Sequence, residues 1–294
     1  MNMTGLLAKL FSVQSMVPLS MRQGDLPSEG QAYGKAFRIA WPSALESSFV
    51  ALISAADTMM VGSLGPAAIS AVGISSQPRM IMLCFIISLN MGVTAVISRR
   101  KGANDSLGAN KCLKQSILYS AFISFCACSL AFLFAEPLLR LAGAGPEFLA
   151  MAIVYLRIIC FGTFFYGLCL TINAAQRGIG NTRLALRTNL TANIINVIFN
   201  YLLIGGNFGF PRLGVQGAAL ATALGNIVAF LMAVASLVPQ KNFIHLRYAC
   251  GWRLEKDLFN SLFKVSSSGL AEQLFIRFGM LFYTRVVSSL GVIE

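Results

Sequence analysis

The chain has 294 residues, 56% of them hydrophobic and only 12% charged, with a mean hydropathy of +0.71. A soluble domain is about one quarter charged, so these proportions exclude an ordinary soluble enzyme or binding module and indicate a membrane protein. The net charge of +12 does not mark a nucleic-acid surface either, because Lys and Arg follow the connections between apolar runs and no soluble face gathers them.

The first 35 residues lack the short apolar core and cleavage site of a signal peptide. Within them "TGLLAKLFSVQSMV" fits either a helix lying in the membrane interface or a frayed terminus. Seven apolar windows follow, at roughly 39–61, 68–98, 112–135, 147–174, 186–206, 214–238 and 258–290. Each is long enough to cross a hydrocarbon core about 30 Å thick. Lipid offers the backbone no hydrogen-bond partners, so unbroken apolar segments of this length predict helices and not barrel strands. Lys and Arg concentrate in the N-terminal segment and in the second, fourth and sixth connections, whereas the odd-numbered connections hold only Arg140 and Arg212. The positive-inside rule therefore puts the N-terminus and the even-numbered connections in the cytoplasm. Cys84, Cys112, Cys126, Cys128, Cys160 and Cys169 lie in or beside the spans, form no CxxC pair, and read as small apolar side chains.

A shift of 226 residues places "ESSFVALISAADTMMVGSLG" on "EQLFIRFGMLFYTRVVSSLG" without a gap, with seven of twenty positions identical. Span seven thus reads as span one of a second copy. Six spans per copy, both copies starting on the same side, make a parallel repeat about an axis along the membrane normal. The predicted fold class is an all-α polytopic membrane protein: a six-helix N-terminal lobe of a two-lobed transporter plus the first helix of the second lobe. The corresponding units are a cytoplasmic segment (1–35), the six-helix lobe (36–238), an inter-lobe loop (239–257) and the first helix of an incomplete C-terminal lobe (258–294). The chain reads as truncated after that helix; a genuine seven-span protein is the alternative.

The polar residues inside the spans carry the chemistry. Glu46 and Asp57 are eleven residues apart on span one, three helical turns, so they share a face. A charge at mid-membrane costs on the order of 3 kcal/mol, which keeps such residues against protein or water and makes them candidates for an ion or substrate path. Span five places Asn189, Asn193, Asn196 and Asn200 at spacings of four, three and four, a single polar stripe. Such amides can simply tie helices together, but a stripe beside a buried acid fits a hydrated, ion-coordinating role. Span six carries Gly217, Ala221 and Gly225 at four-residue intervals, a surface for close helix approach, with Thr222 and Asn226 beside it. Pro78 removes a backbone hydrogen bond from span two and should bend it. Arg79, Arg157 and Arg277 also lie within spans and are expected to neutralise the buried acids. No GxxxxGK[ST] loop is present to bind ATP. Nor is there a Ser/His/Asp set, an HExxH or a Cys/His cluster to support an intramembrane enzyme. An ion gradient is the remaining source of energy.

Several ordered stretches, "WPSALESSFVALISAADTMMVGSLGPAAISAVGI", "QPRMIMLCFIISLNMGVTAVISRRKG", "YLRI", "NYLLIGGNFGFPRLGVQGAALAT" and "GLAEQLFIRFGMLFYTRVVSSLG", resemble bacterial multidrug and toxic compound extrusion (MATE) transporters from about residue 36 onward. The resemblance implies twelve helices in two lobes in a bacterial inner membrane. It also implies export of small organic compounds, often cationic or amphipathic, by alternating access against entering H⁺ or Na⁺, with no other cofactor. The first-helix aspartate of that family, in a D-T-x-x-V-G setting, falls on Asp57 in "DTMMVG", and its polar cluster of helices five and six falls on Asn196, Asn200 and Thr222. Some members carry an aspartate where this chain has Asn200, which leaves Asp57 more alone. The acid found on helix seven in parts of the family corresponds to Glu272. Glu46, Asn189, Asn193 and Glu272 are the expected cavity or substrate residues. A lipid-linked oligosaccharide flippase, favoured if arginines dominate the cavity, and a non-transporting membrane scaffold are the alternatives.

Overall fold

The computed structural model describes residues 12, 28–239, 242–246 and 255–289. Apart from Ser12, the segment read as an interfacial helix falls outside the described residues. The remainder is helical: α1 (Glu29–Gly62), α2 (Pro66–Gly102), α3 (Ser106–Leu133), a short α4 (Ala135–Leu141), α5 (Pro146–Gly178), α6 (Thr182–Gly205), α7 (Val215–Ala235) and α8 (Lys256–Ser289). α4 forms within the predicted third connection, and α1 begins upstream of the apolar window at Glu29. α2 continues as helix through the buried Pro78.

Five of these helices, α1, α2, α3, α5 and α7, are long and apolar enough to cross a membrane by length and composition. α6 and α8 match predicted spans five and seven in length but are more polar. α6 carries Arg183, Arg187 and the asparagine stripe, and α8 carries Glu272 and Arg277. Large apolar side chains on the outer surface, Phe122 and Phe125 of α3 among them, are 70% and 64% exposed. Water would expel a belt of that kind, whereas lipid accepts it.

α5 stands at the centre, packed on α2, α3 and α7; α7 also packs on α6, α1 lies against α6, and α8 lies along α2. Two apolar clusters form, one around Val61, Leu139, Leu156 and Val215, the other around Val93, Leu113, Ile172 and Leu237. The first sits at the end of the bundle that bears the α1–α2, α3–α5 and α6–α7 connections. Between the clusters the interior holds small hydroxyls, including Ser75, Ser120, Ser124 and Thr163, each fully buried. Ser75, Ser120 and Thr163 donate to helix carbonyls, Ser75 Oγ to that of Ala71 at 2.7 Å, whereas Ser124 Oγ has no partner among the described residues; such small side chains let α2, α3 and α5 approach closely.

The glycine face of α7 is used as its spacing predicts. A Cβ on Gly217 would lie 2.6 Å from the Leu203 carbonyl oxygen, and one on Gly225 2.6 Å from that of Ala192. Only glycine permits α6 and α7 to come this near, and the approach brings Thr222, which lies between the two glycines, against α6. Outside the spans, Asp105 caps α3. Its Oδ1 accepts the Gly108 N–H at 2.8 Å and its Oδ2 accepts Arg100 Nη1 at 2.6 Å. These contacts, the backbone N–H first and the guanidinium second, hold its carboxyl below the usual carboxylate range.

Candidate functional site

α6 offers an amide to each of the two acids of α1. Asn200 Nδ2 donates to Asp57 Oδ1, and Asn189 Nδ2 donates to Glu46 Oε1. Both contacts span 143 residues of sequence, so α1 and α6 run parallel and in register for three turns. A carboxylate stripe and an amide stripe with matching periods make this the one pairing that satisfies both acids at once.

Asp57 gathers more than one partner. One end of the Asn196 amide lies 2.6 and 3.0 Å from the two Asp57 carboxylate oxygens, and the other end lies 2.9 Å from Thr222 Oγ1. Which end is nitrogen follows from the hydrogen-bond network. With Asp57 ionised, the nitrogen faces the carboxylate, and the oxygen accepts from Thr222 Oγ1 and, at 3.2 Å, from the Thr222 backbone N–H. With a proton on Asp57 the amide turns over. Its oxygen then accepts that proton and its nitrogen donates to Thr222 Oγ1, whose own hydrogen goes to the Ala218 carbonyl at 3.0 Å. Asn196 can therefore keep both ends of its own amide paired in either charge state of Asp57, although Asn200 Oδ1 stays buried without a partner among the described residues.

Asn196 and Asn200 are buried, at 5% and 1% exposure, while Asp57 and Thr222 are half-buried at the edge of space. Two cavities meet at this cluster. The larger, about 410 Å³, lies toward the α1–α2 connection and is bordered by Asp57, Arg79, Tyr155, Asn200 and Thr222. The smaller, about 180 Å³, reaches toward Asn189, Asn193, Tyr166 and Asn226. Asp57, Arg79 and Thr222 border both. The carboxylate thus faces protein and open space instead of lipid.

Of the predicted residues, Asp57, Asn196, Asn200 and Thr222 form one cluster drawn from three helices. Glu46 and Asn189 form a separate pair one end of the stripe away, and Asn193 lines the smaller cavity without a side-chain hydrogen bond among the described residues. Glu272 is exposed on α8 and borders neither cavity. Among the described residues no arginine forms an ion pair with Glu46 or Asp57; their hydrogen bonds come from amides in register on α6, while Arg79 borders both cavities with Asp57 and attracts its charge through space. Arg157 is exposed, its guanidinium 5.3 Å above the Phe132 ring, and Arg277 keeps a buried Nε without an acceptor. Sequence reasoning did not assign Tyr155, Ser75, Ser76 or Asn226 to the site. Asn226, one turn after Thr222, and Ser75, one turn before Arg79, carry a signal in their spacing, whereas Tyr155 and Ser76 carry none.

Residues 42–202 match the MatE family model. The uncharacterized transporter YisQ of Bacillus subtilis is 26% identical over 255 residues, covering 87% of this chain and 56% of that protein. The probable multidrug resistance protein NorM of Thermotoga maritima is 29% identical over 191 residues, 65% of this chain and 41% of that protein. This chain spans about half the length of the curated relatives it matches. A solved multidrug resistance MATE family transporter of the MOP superfamily in an outward-facing conformation superposes with a TM-score of 0.79 at 24% identity, over 87% of this chain and 56% of its own. The Vibrio cholerae MATE transporter VcmN in the bent form gives 0.77 at 22%, over 88% and 57%. Structural likeness at that identity fixes the fold, and the family match extends over more than half of the sequence: the chain belongs to the MatE family of multi-pass membrane proteins.

Proposed function

We propose that this chain is the ion-coupling lobe of a secondary active exporter of small organic compounds, working by antiport against H⁺ or Na⁺. The observation that carries the reading is the Asp57 cluster: one carboxylate at the meeting point of two cavities, held by two buried amides, one of them backed by the Thr222 hydroxyl, and in no ion pair with an arginine among the described residues. A carboxylate so placed can exchange a cation with water, and each charge state finds partners in Asn196 and Asn200. Loading Asp57 replaces its charge-assisted amide contacts by weaker neutral ones and so loosens the register of α1 on α6. Repacking of that helix pair then changes the shape of the larger cavity, which is the alternating-access step. The names of the relatives support drug export, and the distribution of basic residues supports a cytoplasmic N-terminus in a bacterial plasma membrane. The test is efflux by the full-length gene product in proteoliposomes, driven by a pH gradient alone and by a sodium gradient alone. One of the two should drive substrate movement, and Asp57→Asn should abolish it. Efflux at the full rate from the Asp57→Asn protein would remove the coupling assignment.

A further inference from the structure

A cavity of about 630 Å³ lies at the end of the bundle where α1 begins and the α5–α6 connection turns. Gly30, Gly34 and Arg38, at four-residue intervals on one face of α1, line one side of it, and Gly180, Asn181 and Arg183 line the other. A Cβ on Gly30, Gly34 or Gly180 would meet nothing within 4 Å, so these glycines leave space and do not serve helix packing. No Asp or Glu borders the cavity, and neither Arg38 nor Arg183 makes an ion pair among the described residues. Arg187, one turn beyond Arg183, adds a third exposed guanidinium on the same face of α6. The neighbouring face of α1 is aromatic. Tyr33, Phe37 and Trp41 recur at four-residue intervals, 43%, 67% and 54% exposed, and the rings of Phe37 and Trp41 stack 5.9 Å apart. Tyr and Trp gather where a membrane meets water because one end of the ring is apolar and the other wet. The stripe therefore sets the cavity at headgroup depth, where the first apolar window opens.

We infer that this cavity is a docking site for an anionic phospholipid, whose phosphate lies between Arg38 and Arg183 and whose acyl chains follow the aromatic face of α1. Charge complementarity names the occupant. Guanidinium forks match phosphate oxygens with parallel N–H···O bonds, and no acid lines the cavity to oppose them. A soluble phosphate would satisfy the arginines alone, whereas a lipid also covers the exposed rings of Phe37 and Trp41. The basic connections lie at this end of the bundle, the end that faces an anionic cytoplasmic leaflet by the positive-inside rule. A lipid held here ties the start of α1 to the start of α6, the same two helices whose register carries Asp57. The inference rests on the chain's place in a membrane and not on the antiport reading.

The test titrates the full-length gene product in detergent with dioleoylphosphatidylglycerol or dioleoylphosphatidylcholine and reads bound lipid by native mass spectrometry. The glycerol lipid should bind about tenfold more tightly, as two arginines at a membrane surface provide. Replacing both arginines, Arg38→Gln with Arg183→Gln, should bring the two lipids within about threefold of each other. Arg99→Gln with Lys256→Gln removes the same charge from exposed positions outside the cavity and should keep the preference. Gly34→Leu leaves every charge in place and fills the space, so it should weaken the glycerol lipid as well; a misfolded double variant therefore does not block the test. Equal binding of the two lipids by the unaltered protein overturns the inference, as does a preference that survives in the cavity variants. An equal loss in the Arg99/Lys256 pair overturns it too, because the effect would then be net charge without a site. Displacement of the lipid by an equal concentration of glycerol 3-phosphate would replace the lipid by a soluble phosphate ester and overturn it in turn.

Discussion

Glu46 and Asp57 sit on the same face of the same helix, each beside an asparagine of α6, and yet only one of them belongs to a site. Glu46 has Asn189 as its one hydrogen-bond partner among the described residues. Asp57 has Asn200, the reversible Asn196, Thr222 behind it, and open space on two sides. The difference comes from α7. Gly217 and Gly225 let that helix press against the Asn196–Asn200 half of α6, and Thr222 arrives with it. A carboxylate and an amide between two helices make a contact; a third helix and a cavity turn that contact into a place where a cation can be exchanged.

Removing the two charges in turn should break the comparison most visibly. Asp57→Asn is expected to lower ion-driven efflux by roughly 100-fold, the equivalent of about 2.8 kcal/mol, while Glu46→Gln should leave it within about threefold. Equal losses in the proteoliposome assay would mean that both acids carry the coupling. The amides come next. Asn200→Ala deprives a carboxylate of a charge-assisted hydrogen bond, a loss of about 1.5–3 kcal/mol, and should reduce transport about tenfold or more. Asn189→Ala, whose carboxylate stays half-exposed, should reduce it far less.

The α1 acids and the α6 stripe were legible in the sequence because charges and amides are rare in apolar runs and their helical spacing fixes their face. Asp57, Asn196, Asn200 and Thr222 were all named, and the structure brings those four together. What the spacing could not convey is pairing between helices. Opposite charge made the arginines the obvious partners of the acids, yet register along α6 gave the direct hydrogen bonds to amides and left Arg79 acting on Asp57 across the cavity. The same limit hid Tyr155: on α5 it reads as one more apolar-run aromatic, and only packing puts it at the cavity. Spans five and seven were found by length, although the polar residues of α6 and α8 make them less apolar than the other five.

Packing sharpens the comparison at a smaller scale. Gly225→Leu would drive a side chain into the Ala192 carbonyl, pushing α7 from α6 and separating Thr222 from Asn196. Overpacking of this kind costs about 1–3 kcal/mol, to be read as a lower unfolding midpoint in detergent together with lost transport. Gly34→Ala tests the other half of the molecule, since a methyl there meets nothing within 4 Å. It should leave the midpoint unchanged or raise it slightly, because alanine is the better helix former. A midpoint that falls equally in both variants would show that the α6–α7 approach is not special.

The smallest effect is expected at Asp105, a third carboxylate that separates the chemistry of capping from that of the buried cluster. Like Asp57 it accepts N–H donors, here from Gly108 and Arg100, but it lies in the α2–α3 connection where water competes for every contact. Its carboxyl is held below the usual range by those donors, so the charged form is the one the fold favours. Its contribution is complete above the unfolded aspartate value of about 3.9 and is lost as pH falls through the lower folded value. Asp105→Ala should therefore lower the unfolding midpoint at pH 7 by less than Gly225→Leu does, and the gap from the unaltered protein should close as the medium is acidified below the carboxylate range. A gap that stays constant under acid would mean that the α3 cap owes its strength to the shape of the turn and not to the charge.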